Sequence, residues 1–304
     1  MSGIADILFV RFRVEDLARQ HKFLSDFGFA VEEVDGRLLG RGTDPTRYTY
    51  VAEEGDPGFI ALGFEAKTQG DLERIAALDG AAVEELSLPG GGLGARLQDP
   101  DGNAVEVVFG IEKPQPLTAP VRQPLNFGDD RQRLGERVSF RPGLPSTIVK
   151  RLGHCVLNVG DFRTSEAWYK QRFGLLTSDE IYVGEEDNSI GAFMRCNHGE
   201  RHVDHHTLFL LGTGTPEFNH AAFEVADWDT LMLSHDLLQE QGYEHRWGVG
   251  KHLLGSQVFD YWKDPHGFTL EHFTDGDLMN ESFGSHKAPV EQLLGSHWGP
   301  AGAP

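Results

Sequence analysis

Four short runs in the second half of the chain alternate apolar and polar positions: HCVLNV (154–159), HTLFLL (206–211), HAAFEV (220–225) and FTLEHF (268–273). A period of two is that of a strand with one buried face. Between these runs the apolar spacing lengthens to three and four residues. FRTSEAWYKQRFG predicts a helix with Ala167, Trp168 and Phe173 near one face, and DTLMLSHDLLQEQG predicts another that Gly242 stops.

The pattern repeats. Residues 5–30 and 150–175 both read as a short strand, a turn centred on Asp16 or Asp161, an amphipathic helix and a Phe-Gly stop. The halves also end alike, LQDPDGNAVEVVFG at 97–110 against WKDPHGFTLEHFTD at 262–275, each an Asp-Pro-x-Gly turn followed by a strand. IALGFEAKTQGDLERIAAL (60–78) matches HAAFEVADWDTLMLSHDLL (220–238) in between. The expected fold class is α+β, with two domains of two βαβββ modules each. The first covers 1–111 and the second 150–285, joined by a linker at 112–149 that holds six of the fifteen prolines. The tail, 286–304, reads as extended, with His286 and His297 solvated.

Composition narrows the function. Lys+Arg 27 against Asp+Glu 47 leaves a formal charge of −20, which repels phosphate backbones and anionic lipid, so no nucleic-acid or membrane partner is expected. No run approaches the ~20 apolar residues of a membrane span, and the N-terminus lacks the pattern of a signal peptide. Two cysteines, Cys155 and Cys196, suit a reducing compartment, so the expected location is cytoplasmic. Of fourteen histidines, only His21 precedes residue 150.

The repeat supplies an internal control for those histidines. His154 opens a strand whose counterpart holds Phe9, and His220 opens one whose counterpart holds Ala61. Glu271, in the last strand, stands opposite Glu106. Two imidazoles and one carboxylate are the facial ligand set of non-haem Fe(II), which leaves positions open for a bidentate substrate and O2.

On these residues the second half resembles the catalytic domain of type I extradiol ring-cleaving dioxygenases, of the vicinal oxygen chelate superfamily. The resemblance spans about residues 5–285 and implies a metal-free first domain, a metal-bearing second one, and His154, His220 and Glu271 as ligands. The family's Tyr-x-x-Asp-Pro-x-Gly-x-x-x-Glu motif falls on Tyr261, Asp264, Pro265, Gly267 and Glu271. The family's further histidine falls on His252. Its acid–base histidine falls on His205 or His206, and the His-x-Thr pattern favours His205. The implied reaction is insertion of both atoms of O2 beside the diol of a catechol, with Fe(II) or Mn(II) as cofactor and a homo-oligomer as the assembly.

Two further positions bear on the substrate. Val156 and Trp247 stand where the homoprotocatechuate-cleaving branch tends to have Asn and a carboxylate-holding Arg, although Arg246 is adjacent. With Phe193 and Trp262 nearby, an apolar pocket and an uncharged, substituted catechol are expected, with His206 beside it. His198, His202, His245, His266 and His272 are expected at the surface, and His235 on a helix surface; alternation turns His272 away from Glu271. A glyoxalase-like isomerase would need an acidic ligand on HTLFLL, which has none. A protein that sequesters an aromatic ligand has no need of Tyr261, His252 and His205.

Overall fold

The computed structural model describes residues 3–119, 124–135, 147–300 and 302. Pro120, Pro142 and Pro145 of the linker, and part of the tail, lie outside the described residues.

Each of four βαβββ modules begins with a strand and a capped helix. The first runs β1 (Ile4–Val14), α1 (Leu17–Phe27), β2 (Ala30–Val34), β3 (Arg37–Arg41) and β4 (Tyr50–Glu54). The second runs β5 (Gly58–Ala66), α2 (Gln69–Leu78), β6 (Glu84–Glu85), β7 (Leu93–Gln98) and β8 (Ala104–Phe109). The third has β9 (Val149–Val159), α3 (Phe162–Phe173), β10 (Leu176–Tyr182), β11 (Ser189–Arg195), a side strand β12 (Val203–Asp204) and β13 (Leu208–Gly212). The fourth has β14 (Glu217–Val225), α4 (Trp228–Glu240), β15 (His245–His252), β16 (Val258–Lys263) and β17 (Thr269–Thr274). After it come β18 (Leu278–Met279), β19 (His286–Pro289), α5 (Val290–Leu293) and β20 (Ser296–Trp298).

The turns expected at Asp16 and Asp161 are helix N-caps. Each accepts the backbone N–H three residues on, from Arg19 and Thr164, as Thr68 and Asp227 do at α2 and α4. Such a cap contributes about 1 kcal/mol. Gly28 and Gly174 end α1 and α3 in the left-handed conformation, at φ 102° and 64°, which glycine adopts without strain. The buried face of α3 is Phe162, Ser165, Tyr169 and Phe173. Ala167, expected on that face, is exposed, because the helix begins at Phe162 and its inward stripe follows that residue.

Paired modules make two sheets, eight strands in the order β2-β3-β4-β1-β5-β8-β7-β6 and ten in the order β19-β10-β11-β13-β9-β14-β17-β16-β15-β20. The halves meet along an aromatic seam: Phe12 lies 5.1 Å from Phe218 and 4.6 Å from Phe268, and Phe29 lies 4.8 Å from Phe223. Each buried ring of this kind contributes about 1.5–3 kcal/mol. The two Asp-Pro-x-Gly turns are also exchanged between halves. Asp264 accepts Gln20 from α1 at 2.9 Å, and Asp99 accepts Tyr169 from α3 at 3.0 Å.

Two expectations need correction here. The tail is not simply extended: β19 and β20 take the two edges of the second sheet, covering backbone groups that would otherwise be unpaired. His286 is exposed as expected, at 66% for its side chain, and its Nδ1 lies 2.9 Å from Asp179 Oδ1. His272 does point away from Glu271, but it is fully buried at the junction, stacked on Phe27 with Nε2 donating to the Phe27 carbonyl at 2.8 Å. No helix among the described residues is long and apolar enough to cross a membrane.

Candidate metal centre

Strand register brings the three candidate ligands together. Across β9, β14 and β17, His154 stands opposite Ala222 and Ala222 opposite Glu271. His220, two residues before Ala222, shares its face. His154 Nε2 and His220 Nε2 each lie 3.3 Å from Glu271 Oε2. All three residues are buried, at 2%, 6% and 0% exposure.

These groups fit a cation. Both Glu271 oxygens and His220 Nε2 are buried with no hydrogen-bond partner, and an uncompensated buried charge costs several kcal/mol. Ligand atoms about 2.1 Å from one ion sit roughly 3.0–3.4 Å apart, which matches the spacing. Asn219 Oδ1 accepts from His220 Nδ1 at 2.7 Å, which leaves the Nε2 lone pair facing Glu271. Burial pushes the Glu271 carboxyl up, but His154 and His220 outweigh it and hold it below the usual carboxylate range. Burial lowers His220, with Glu271 opposing.

The first half keeps the same register and fills the place differently. Phe9 stands opposite Gly63 and Gly63 opposite Glu106. Arg11 holds the position of Val156, since Arg11 faces Ala61 as Val156 faces His220. Its guanidinium lies 2.6 Å from Glu106, with Arg96 at 3.5 Å. A fixed cation of the chain thus neutralises the carboxylate that corresponds to Glu271.

Around the second-half site, Tyr261 stands opposite Glu271 across β16 and β17. Its hydroxyl shares a hydrogen bond of 3.0 Å with His252 Nε2. Burial and then Glu271 push the Tyr261 hydroxyl well above its ordinary value, so it stays protonated. Burial pushes His252 down to about 4, keeping it neutral at pH 7.

The structure separates the two neighbouring histidines differently from the sequence expectation. His206 lines the cavity, with its ring centroid 4.0 Å from that of His154. His205 is fully buried outside the cavity lining, with Nε2 2.6 Å from Asp179 Oδ2 and Nδ1 3.0 Å from His206 Nδ1. Of the pair only His206 lines the cavity, while His205 turns its Nε2 to Asp179. Burial, followed by the surrounding histidines, lowers His206 well below the ordinary imidazole value.

A cavity of about 120 Å³ opens beside these groups, walled by Val156, Phe193, Phe209, Trp247, Leu254 and, from the tail, Leu293. Arg246 is exposed and turned away from this cavity, whereas Trp247 lines it. Trp262 is buried on the opposite face of β16 and does not line it. Sequence reasoning missed Asn219, Asp179, Phe209 and Leu293. Asn219 was legible as the neighbour of a ligand, while Asp179 and Leu293 reach the site only through tertiary packing.

Residues 151–272 match the Glyoxalase/Bleomycin resistance protein/Dioxygenase superfamily. Metapyrocatechase 2 of Cupriavidus necator is 28% identical over 292 residues, covering 94% of this chain and 86% of its own. The 1,2-dihydroxynaphthalene dioxygenase of Sphingobium xenophagum is 29% identical over 240 residues, covering 78% and 69%. In fold, the chain is similar to the Mn(II)-bound glyoxalase of Novosphingobium aromaticivorans, with a TM-score of 0.78 at 20% identity over 99% of this chain and 93% of the other. The chain thus resembles the glyoxalase/bleomycin resistance protein/dioxygenase superfamily through residues 151–272, the half that also carries the candidate ligand triad.

Proposed function

We propose that the protein is an extradiol dioxygenase of aromatic catabolism, cleaving the ring of a catechol-type diol with O2 as co-substrate. The observation that carries this reading is the buried triad with unpaired ligand atoms, set beside Tyr261, His252 and His206 in the lining of an apolar cavity. His154, His220 and Glu271 hold the metal, for which Fe(II) is the first choice and Mn(II) the second. That ion, when bound, supplies the Lewis acidity that favours catecholate and the electron path between diol and dioxygen.

The chain's own residues divide the remaining work. Tyr261 and His252 hydrogen-bond the oxygens of the diol and orient it. His206, buried and neutral, is the group that takes and returns a proton within the cavity. Val156 and Trp247 shape the wall against the ring substituent. Among the described residues the lining carries no lysine or arginine, which favours an uncharged diol with an alkyl, aryl or fused-ring substituent. The relative named for 1,2-dihydroxynaphthalene supports the larger end of that range.

A glyoxalase-type reading needs an acidic ligand from β13, whose residues Leu208–Gly212 include no carboxylate. A sequestering role leaves Tyr261, His252 and His206 without a task, and the two curated relatives named above are not sequestering proteins by name. We place the enzyme in the cytoplasm, where the buried free thiols Cys155 and Cys196 stay reduced. Assembly as a homo-oligomer is part of the proposal. It is supported by exposed Leu125, Phe127 and Leu134 on the linker and is checked by light scattering. The activity is tested by O2 uptake after anaerobic loading with Fe(II), using catechol, 3-methylcatechol and 2,3-dihydroxybiphenyl. Uptake with a yellow ring-opened product is expected, fastest with a substituted diol; no uptake by the iron-loaded protein with any of them contradicts the reading.

A further inference from the structure

A second cluster of two histidines and a carboxylate lies on the other face of the same strand. Asp260 neighbours Tyr261 on β16 and therefore points away from the cavity, towards α4. Its carboxylate is fully buried and meets His235 of α4 and His245 of β15. His245 Nε2 is 2.8 Å from Oδ1, and His235 Nδ1 lies 3.2 Å from Oδ1 and 3.1 Å from Oδ2. Trp262 Nε1 donates to Oδ2 at 2.6 Å and fixes the carboxylate plane. The two ring nitrogens and the carboxylate oxygen all lie within 4.8 Å of one another.

The sister module shows that the fold does not require this cluster. Arg96 faces Glu106 as Tyr261 faces Glu271, so Ala95 and Leu97 hold the positions of Asp260 and Trp262. Ala76 lies as far beyond the N-cap Thr68 as His235 lies beyond the N-cap Asp227. Ala76, Ala95 and Leu97 are all buried apolar side chains. The same comparison separated His154 and His220 from Phe9 and Ala61 at the triad.

We propose that His235, His245 and Asp260 form a second divalent-cation site, of the zinc class, separate from the triad. Two imidazole nitrogens and a carboxylate oxygen give three of four tetrahedral positions, and water completes the fourth. The cation replaces the protons held between the rings and Asp260, and those protons leave to solvent. His245 is 27% and His235 13% exposed, so an ion has a path in. Trp262 Nε1 is the outer donor that orients the carboxylate. Bound there, the ion clamps α4 to the β15–β16 hairpin, whose opposite face carries Trp247, His252 and Tyr261. The site stands on its own geometry and goes beyond the dioxygenase reading.

The test counts zinc after dialysis of the metal-free full-length protein. The expected result is about two ions per chain for the wild type and about one for either His245→Gln or His220→Ala. The double variant should retain none. A cobalt titration of the His220→Ala protein should give the visible absorption of a four-coordinate ion, and His245→Gln in that background should abolish it. Circular dichroism verifies that each variant is folded, and His235→Gln serves as the independent second variant. A wild type that binds one ion, or His245→Gln and His235→Gln proteins that bind as many as the wild type, would overturn the proposal. The dioxygenase reading would stand in either case, because it rests on the triad and its cavity and not on this cluster.

Discussion

Phe9 and His154 hold the same register position in the two sheets of one chain. Phe9 faces Gly63, which faces Glu106, and His154 faces Ala222, which faces Glu271. The Phe9 ring packs edge-on to Tyr48, and a Cβ on Gly63 would come within 2.4 Å of it. The first half is therefore a packed scaffold where the second half is a site. Phe9→Ala should cost about 3–5 kcal/mol in urea unfolding and leave the metal content unchanged. Loss of metal in that variant would contradict the division of labour.

Metal retention should depend on the triad and on what aims it. His220→Ala should abolish iron binding after anaerobic loading and desalting. Asn219→Ala frees the His220 ring to turn, so iron affinity should fall about 10–100-fold. An Asn219→Ala protein with unchanged affinity would show that the 2.7 Å contact to His220 Nδ1 has no part in aiming the ligand.

His206 and His205 should fail in different ways. His206→Phe should keep iron and diol binding while kcat falls about 10²–10⁴-fold. His205→Phe removes the partner of a buried carboxylate, Asp179. Its main effect should be on stability, with kcat much less affected. Steady-state kinetics beside thermal melts distinguish the two, and the reverse pattern would return the acid–base role to His205.

Asp179 gives a pH dependence of defined sign. Burial pushes its carboxyl up, but hydrogen bonds to His205 and His286 outweigh this and hold it below the usual carboxylate range. A lowered carboxyl contributes stability above its unfolded-state pKa and loses it as pH falls through the folded-state value. Asp179→Asn should destabilise the protein by about 1–3 kcal/mol at pH 6. That gap should close as pH drops below ~4. A gap that persists undiminished in acid would place its origin in packing and not in charge.

Much of the fold was legible because the chain carries its repeat openly. The Asp caps, the Phe-Gly stops and the Asp-Pro-x-Gly turns recur at matched places, and the alignment that put Phe9, Ala61 and Glu106 opposite the triad is the register the strands adopt. What escaped depends on contacts between distant segments. His272 looks like a surface residue until α1 brings Phe27 over it. His235 and His245 acquire a partner only when α4 packs on Asp260. The tail's short strands carry too little alternation to be recognised, and it is the open sheet edges that order them. Neighbouring His205 and His206 were not separable by a spacing rule, because which of them lines the cavity depends on the direction of each side chain.

Extradiol cleavage is read out by a single-turnover reaction of the iron-loaded protein with 2,3-dihydroxybiphenyl under isotopically labelled dioxygen. Mass spectrometry then reads the product, trapped before its oxygens exchange with water. An acyclic product carrying both labelled oxygen atoms is expected from the wild type and none from His220→Ala. A diol recovered intact and unlabelled from iron-loaded protein, or a product carrying a single labelled atom, would contradict it.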